Sequence, residues 1–270
     1  LRFPRIQGGD LCGEVVSVGE GASGIDTGMR VTCAINQPMP TPDNPLYFEV
    51  LGSERDGAFA KFCCVPAAQL YDVSDSPLSD VEIGAMPCAF GTALNLLVRA
   101  GVKGNDHVLI TGASGGVGLA AVQLARQRGA DVTAVSSEAK ADAVYEAGAG
   151  HVIRREEVPP EERFSVVVDV VGGNAFGALL DALRPGGRLA TSGAIAGPVV
   201  NTDLRTVYLK DLTVFGCTYQ PPEVFAQLVA LIRKGAVRPL VSRTYPLREI
   251  AKAQSDFISK RYPGKLVLFP

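Results

Sequence analysis

One stretch of the chain has the residue types and spacing that phosphate binding needs: Val108-Leu109-Ile110-Thr111-Gly112-Ala113-Ser114-Gly115-Gly116-Val117-Gly118, followed by Leu119-Ala120-Ala121-Val122-Gln123-Leu124-Ala125. An apolar run delivers the chain to a tight turn whose backbone N–H groups can approach a pyrophosphate, and a helix opening there adds its positive N-terminal end. Ser114, Gly115, Gly116, Val117 and Gly118 are the residues this pattern sets against the phosphates. Gly115 leaves room for close approach, and Gly118 with Ala120 and Ala121 lets the helix pack tightly on a sheet. Ala113 stands where a glycine is usual, a departure a tight turn tolerates when φ is negative. The alternative is a glycine-rich connection that holds no ligand.

A dinucleotide site that prefers NAD carries an acidic residue about 20 positions beyond such a loop, where it takes the ribose 2′-hydroxyl. Here that place reads Ser136-Ser137, with Lys140 following closely and Arg154-Arg155 after the next short strand. Hydroxyls plus cations suit a 2′-phosphate, because charge-assisted bonds to a dianion are stronger than bonds to a hydroxyl. The expectation is NADP(H), held by Ser136, Ser137, Lys140 and Arg155. The alternative is that the cations are solvated and Glu138 reaches the ribose.

The elements around these residues alternate strand and helix, the sign of βαβ units and a parallel sheet. Strands are expected at 106–111, 131–136, 152–153, 166–171, 188–192 and 212–217, and helices at 116–128, 138–147, 174–184 and 222–234. In the third helix Phe176, Leu179, Leu180 and Leu183 repeat along one face, and Pro185-Gly186-Gly187 is read as its stop. Before Pro87 the chain reads as short strands and glycine- or proline-rich turns, with strands over 13–19 and 57–65. After Gly235 it returns to strand-like pieces ending in Gly264-Lys265-Leu266-Val267-Leu268, expected to pack back on the first block. The opening, Leu1-Arg2-Phe3-Pro4, looks like the interior of a domain rather than its beginning.

The 270 residues suit about two domains. With 26 basic against 28 acidic residues and no basic run, nucleic acid is not an expected partner. No apolar run is long enough for a bilayer span and no leader pattern is seen, so a soluble cytoplasmic protein is expected. The six cysteines, Cys12, Cys33, Cys63, Cys64, Cys88 and Cys217, form no Cys-x-x-Cys, so neither a disulfide framework nor an all-cysteine zinc lobe is expected.

Several further motifs fall in order: Phe3-Pro4-Arg5-Ile6-Gln7-Gly8-Gly9-Asp10 leading into Gly13-Glu14-Val15-Val16, then Asp56-Gly57-Ala58-Phe59-Ala60-Lys61-Phe62, the Ala113-x-Gly115-x-x-Gly118 loop, Asp169-Val170-Val171-Gly172-Gly173, Arg184-Pro185-Gly186-Gly187-Arg188 and Gly264-Lys265. With them the chain resembles the medium-chain dehydrogenase/reductase superfamily over nearly its whole length. Within it the chain looks most like the zinc-independent, quinone oxidoreductase-like branch. The resemblance implies an α/β fold with a Rossmann doubly wound parallel sheet at 88–235. It also implies a GroES-like catalytic domain at 1–87 and 236–270, lacking its N-terminal start, and a homodimer. It places Thr92, Val171, Gly193 with Ala194, and Cys217 at the nicotinamide end of the cofactor.

Where zinc-dependent members of that superfamily read Gly-His-Glu, this chain reads Gly8-Gly9-Asp10, so the histidine ligand is replaced by a residue without a side chain. Asp10 and Cys88 match two remaining positions of that site, and catalytic zinc normally takes three protein ligands, so no metal is expected. His107 and His151 are read as surface or edge residues. Without a Lewis acid a plain ketone is poorly served, whereas hydride added to a quinone or an α,β-unsaturated carbonyl spreads charge onto an oxygen that hydrogen bonds can stabilise. The expected activity is NADPH-dependent reduction of such a small-molecule acceptor, with no catalytic acid or base legible. The alternatives are a zinc alcohol dehydrogenase with an altered ligand set and a non-catalytic NADPH-binding protein. Substrate selectivity is expected to reside in the loops 34–54 and 219–224.

Overall fold

The computed structural model describes residues 3–159 and 163–270, so Leu1 and Arg2 of the chain opening lie outside the described residues. It divides into two compact units, one made of Leu1–Gly91 with Tyr219–Pro270 and one of Thr92–Thr218. The first unit opens with short strands: β1 (Cys12–Glu14), β2 (Arg30–Cys33), β3 (Asn36–Pro38), β4 (Phe48–Val50) and β5 (Leu70–Asp72). β2 is the centre of an antiparallel sheet ordered β1-β2-β5, and β3 pairs with β4 as a separate antiparallel ribbon. Helix α1 (Asp80–Gly84) starts at a capping box in which Ser79 and Glu82 each accept a hydrogen bond from the other's backbone N–H. Helix α2 (Pro87–Arg99) runs from this unit into the next.

The second unit is built on β6 (His107–Ile110), β7 (Asp131–Val135), β8 (His151–Ile153), β9 (Phe164–Asp169), β10 (Leu183–Thr191) and β11 (Thr213–Gly216). All pair in parallel, in the order β11-β10-β9-β6-β7-β8. The chain winds outward from β6 through β7 to β8, then crosses back to β9 and winds the other way, the doubly wound Rossmann topology. β9 is buried along its whole length, as a central parallel strand covered on both faces must be. Helices α3 (Gly116–Gln127), α4 (Ala141–Glu146), α5 (Phe176–Asp181) and α6 (Leu204–Leu209) make the connections. The chain then returns to the first unit through α7 (Pro222–Arg233), β12 (Val241–Pro246), α8 (Ile250–Ile258) and β13 (Lys265–Phe269), with β12 parallel to β13.

Four local expectations change. Residues 57–65 form no strand, because the N–H groups of Gly57, Ala58 and Phe59 donate to the carbonyls of Ile6, Gly8 and Gln7 in an irregular close crossing. A Cβ at Gly57 would fall 2.1 Å from the Gly8 carbonyl oxygen, so only glycine passes there. The strand expected over 13–19 ends at Glu14, after which only Val15 keeps a cross-chain bond, its N–H donating to Met29 O. The helix expected over 174–184 stops at Asp181, and Leu183, read as the end of its apolar stripe, already belongs to β10. Arg184-Pro185-Gly186-Gly187 is therefore a bulge inside β10, where the register shifts between Leu183 and Arg188. Finally, α7, placed by its position in the alternation with 88–235, packs within the first unit. Its Phe225 ring meets Tyr71 edge-on, Ser76 Oγ donates to Ile232 O, and Arg233 pairs with Asp75.

Candidate functional site: a cleft at the sheet's switch point

In an open α/β sheet, ligands bind beyond the carboxyl ends of the strands where the winding reverses, here between β6 and β9. A hydrogen bond ties those two strand ends together. Thr111 Oγ1 donates to Asp169 Oδ1 at 2.6 Å, and the same carboxylate accepts from the N–H groups of Val171 (3.1 Å) and Gly172 (3.0 Å). Asp169 is fully buried, so it fixes the shape of the loop after β9 from beneath.

Beside that tie opens a cleft of about 490 Å³, within the range of small-molecule sites. Ser114, Ser136, Ser137, Arg155 and Val171 line it, all five expected from the sequence, together with Glu138, Arg154 and Glu156. The turn after β6 takes its left-handed step at Gly112 (φ 59°), leaving Ala113 fully buried. A Cβ at Gly118 would lie 2.3 Å from Gly112 O and 2.5 Å from the Ala113 Cα, so glycine there is demanded by the fold. Gly115 differs. Its φ is −84°, and a Cβ would meet nothing closer than 3.4 Å, so the chain's own packing does not require glycine. As the N-cap of α3 it supplies no side-chain acceptor, and the helix's first backbone bond is from Leu119 N–H to Gly115 O. The first-turn N–H groups at Gly116, Val117 and Gly118 are thus left for a partner outside the helix.

Elsewhere in the lining, Ser136 Oγ is buried with no hydrogen-bond partner among the described residues. Arg154 is held by Glu156 and Glu157, whereas Arg155 has no such pair among the described residues. Lys140 stands on the turn before α4 and is not part of the lining. Val171, Gly193, Ala194 and Cys217 sit at the carboxyl ends of β9, β10 and β11, but only Val171 lines the cleft. A Cβ at Gly193 would lie 2.8 Å from Val170 O, and Cys217 N–H donates to Thr191 O, so these strand ends are knitted by backbone contacts. The Cys217 thiol is buried, and burial raises its pKa despite the nearby Arg99. Thr92 lies in α2, half-buried and outside the lining. The Thr111–Asp169 tie was not visible in the sequence, where Asp169 carried only a motif resemblance.

The first unit contains the positions compared with a metal site. Asp10 Oδ1 accepts from the Cys88 backbone N–H (2.5 Å), and its Oδ2 accepts from Lys265 Nζ (2.7 Å). Burial would lower the Lys265 pKa, but Asp10 and its hydrogen bond outweigh that and hold it raised, so the pair is ionic. A Cβ at Gly9 would fall 2.2 Å from Ile35 Cδ1, so an aliphatic side chain already fills the place of a ligand. Cys33 is buried, and burial, with Cys63 and Asp10 nearby, pushes its thiol up to about 12. His107 and His151 are exposed on the sheet of the other unit.

Family models place these features. Residues 1–75 match the alcohol dehydrogenase GroES-like domain, and residues 116–234 match the zinc-binding dehydrogenase domain. Over 99% of its length the chain is 31% identical to acryloyl-coenzyme A reductase of Metallosphaera sedula, covering 84% of that protein. The chain belongs to the medium-chain dehydrogenase/reductase superfamily. Its fold is accordingly a Rossmann sheet with a GroES-like domain. Another member, quinone oxidoreductase of Rattus norvegicus, is 28% identical over 98% of the chain and 80% of its own length. Among solved structures, a putative alcohol dehydrogenase from Sinorhizobium meliloti superposes with a TM-score of 0.93 at 42% identity, over all of this chain and 77% of that one. The 2-octenoyl-CoA carboxylase reductase CinF, in complex with NADP and 2-octenoyl-CoA, superposes with a TM-score of 0.90 at 28% identity, over 98% and 68%. The superfamily's zinc does not fit the residues present here. Asp10 carries an ammonium group instead of a metal, and Ile35 occupies the space beside Gly9.

Proposed function

We propose that this oxidoreductase uses NADPH to reduce a conjugated acceptor, an α,β-unsaturated carbonyl compound or a quinone. The observation that carries the reading is the cleft itself. Ser114 in its lining leads directly into the uncapped helix N–H groups behind a glycine the fold does not need, and the lining also holds a serine hydroxyl and an arginine that have, among the described residues, no hydrogen-bond partner and no ion pair respectively. Those are two places suited to an anion, which a dinucleotide with a 2′-phosphate matches. The complex of CinF with NADP and 2-octenoyl-CoA and the naming of the acryloyl-coenzyme A reductase support both halves of the proposal.

Bound there, NADPH supplies the hydride. Gly115, Gly116, Val117 and Gly118 would hold the pyrophosphate, with Ser114 beside them. Ser136, Ser137 and Arg155 would hold the 2′-phosphate, with Lys140 contributing charge from outside the lining. Thr92, Val171, Gly193, Ala194 and Cys217 are proposed for the nicotinamide end. Glu138, in the lining beside Ser137, repels a bound phosphate and so limits the preference that Arg155 creates. Because the Asp10 and Gly9 surroundings offer no Lewis acid, an acceptor that delocalises its own developing charge is favoured over a plain ketone. The six free thiols suit a reducing compartment, and the cytoplasm is proposed. No helix among the described residues is long and apolar enough to cross a membrane.

The chain has no tryptophan, so reduced-nicotinamide fluorescence can be followed against little protein background. NADPH is expected to bind about tenfold or more tightly than NADH, and Arg155→Ala to remove most of that difference while leaving NADH affinity unchanged. Oxidation of the bound cofactor should follow addition of enones, enoyl thioesters or quinones. Turnover of simple ketones alone, or equal affinity for both cofactors, would count against the proposal.

A homodimer is also proposed. β11 is an edge of the six-stranded sheet, and Leu204, Tyr208, Leu209 and Val214 on and before it are exposed apolar side chains. An open edge beside an apolar patch is a pairing surface that monomers usually blunt. Val214→Asp should convert a dimer to a monomer in sedimentation velocity without changing the circular dichroism spectrum; a monomeric parent would refute the assignment.

A further inference from the structure

The loops 34–54 and 219–224 meet in the first unit, where the rings of Phe48 and Tyr219 stand edge-on at 6.2 Å. Each loop carries a buried amide. Gln37 Oε1 has no partner among the described residues, although its Nε2 reaches Cys33 Sγ, a weak acceptor, at 3.8 Å. Gln220 is 4% exposed, and its Nε2 has no hydrogen-bond partner among the described residues. Burying an amide donor without a partner is unfavourable, so the great majority are satisfied.

The helix facing Gln220 makes a second concession at the same point. Gly91 lies inside α2, where glycine is a poor helix former. A Cβ there would fall 2.8 Å from Gln220 Nε2 and 3.2 Å from its Oε1. Glycine thus clears space for an amide whose Nε2 donates to nothing among the described residues. Two local costs at one place with no structural return mark a functional position.

Resting on the proposed reading of a conjugated acceptor, we infer that Gln220 is a substrate-binding residue whose Nε2–H donates to the carbonyl oxygen of that acceptor. Hydride arriving at the conjugated carbon pushes the electron pair of the carbon–carbon double bond towards that oxygen, where a proton from water later completes the reduction. A donor placed there binds the acceptor and strengthens as the oxygen gains charge.

Two variants test this. Gln220→Leu removes the donor at similar volume, and Gly91→Ala pushes the amide aside while improving helix propensity. Reduction of cyclohexenone, crotonyl-coenzyme A and benzoquinone would be measured alongside NADPH affinity, melting temperature and ligand-observed NMR of cyclohexanone binding. Both variants should lower kcat/KM by about tenfold or more, with NADPH affinity unchanged and melting temperature equal or higher. Unchanged kcat/KM in both would overturn the inference and leave the proposed reaction standing. So would a lower melting temperature in Gln220→Leu with no effect of Gly91→Ala, which would mark a structural amide. If the parent reduces none of the acceptors but binds cyclohexanone, and both variants lose that binding, the proposed reaction falls and the carbonyl anchor stands. If the parent neither reduces the acceptors nor binds cyclohexanone, both fall.

Discussion

Gly115→Ala is expected to fold as the parent does and to lose NADPH affinity by about 100-fold, whereas Gly118→Ala should lose both affinity and stability. The two glycines lie three positions apart in one motif, yet different neighbours constrain them. At Gly118 an added methyl group would drive into Gly112 O and the Ala113 Cα, backbone atoms that cannot move without reshaping the turn after β6. Overpacking of this kind costs about 1–3 kcal/mol. At Gly115 the backbone is already in an ordinary extended conformation and the nearest atom to a new Cβ is 3.4 Å away, so the protein accommodates alanine. Alanine is a poorer N-cap than glycine, a loss of a few tenths to about 1 kcal/mol. The larger loss falls on the ligand, because the methyl group would stand before the uncapped N–H groups of α3 and hold a pyrophosphate beyond hydrogen-bond reach. Fluorescence titration and thermal melting of the two variants separate the effects. A Gly115→Ala protein that binds NADPH like its parent would show that the phosphates do not lie against this turn.

The contrast between those glycines also shows where the sequence could be read and where it could not. β6 and β7 are expected over 106–111 and 131–136 and run His107–Ile110 and Asp131–Val135, because apolar runs bounded by glycine turns are local signals. The glycine-rich turn after β6 is legible for the same reason, and so is the gathering of Ser136, Ser137 and Arg155 at one cleft, since they follow parallel strands whose carboxyl ends share one edge. Relations between distant segments were not legible. Asp10 meets Lys265 from the opposite end of the chain, and Ile35 fills the space beside Gly9. The Arg-Pro-Gly-Gly run has every local mark of a helix stop, and only pairing with β9 makes it a bulge. Gln220 was hidden in a stronger sense: its significance lies in the hydrogen bond it fails to make, and no pattern of residue types records that.

Asp106→Ala should destabilise the protein more than any cleft substitution, by about 3–5 kcal/mol, without touching the site. Asp106 is 2% exposed at the amino end of β6, opposite the cleft. Its Oδ1 accepts from Ser165 Oγ (2.7 Å) and Arg188 Nη2 (2.5 Å), and its Oδ2 from the Lys103 N–H (2.9 Å). Arg188 in turn donates to the carbonyls of Ala100 (2.7 Å) and Gly101 (3.0 Å) just past α2. One carboxylate therefore joins β6, β9, β10 and the segment leaving α2, and removing it leaves a largely buried guanidinium without its counter-charge. Burial pushes the Asp106 carboxyl upward, but the hydrogen bonds from Ser165 and Lys103 and the charge of Arg188 outweigh burial and hold it below the usual range. A depressed folded value means that the stabilisation is present above the unfolded value, about 3.9, and is lost as pH falls through the folded one. The difference in urea midpoint between parent and Asp106→Asn should therefore be wide at neutral pH and narrow steadily in acid, while cofactor affinity of the folded variant matches the parent. A difference that is flat across that range would mean the network contributes by shape alone, with Arg188 drawing nothing from the charge of Asp106.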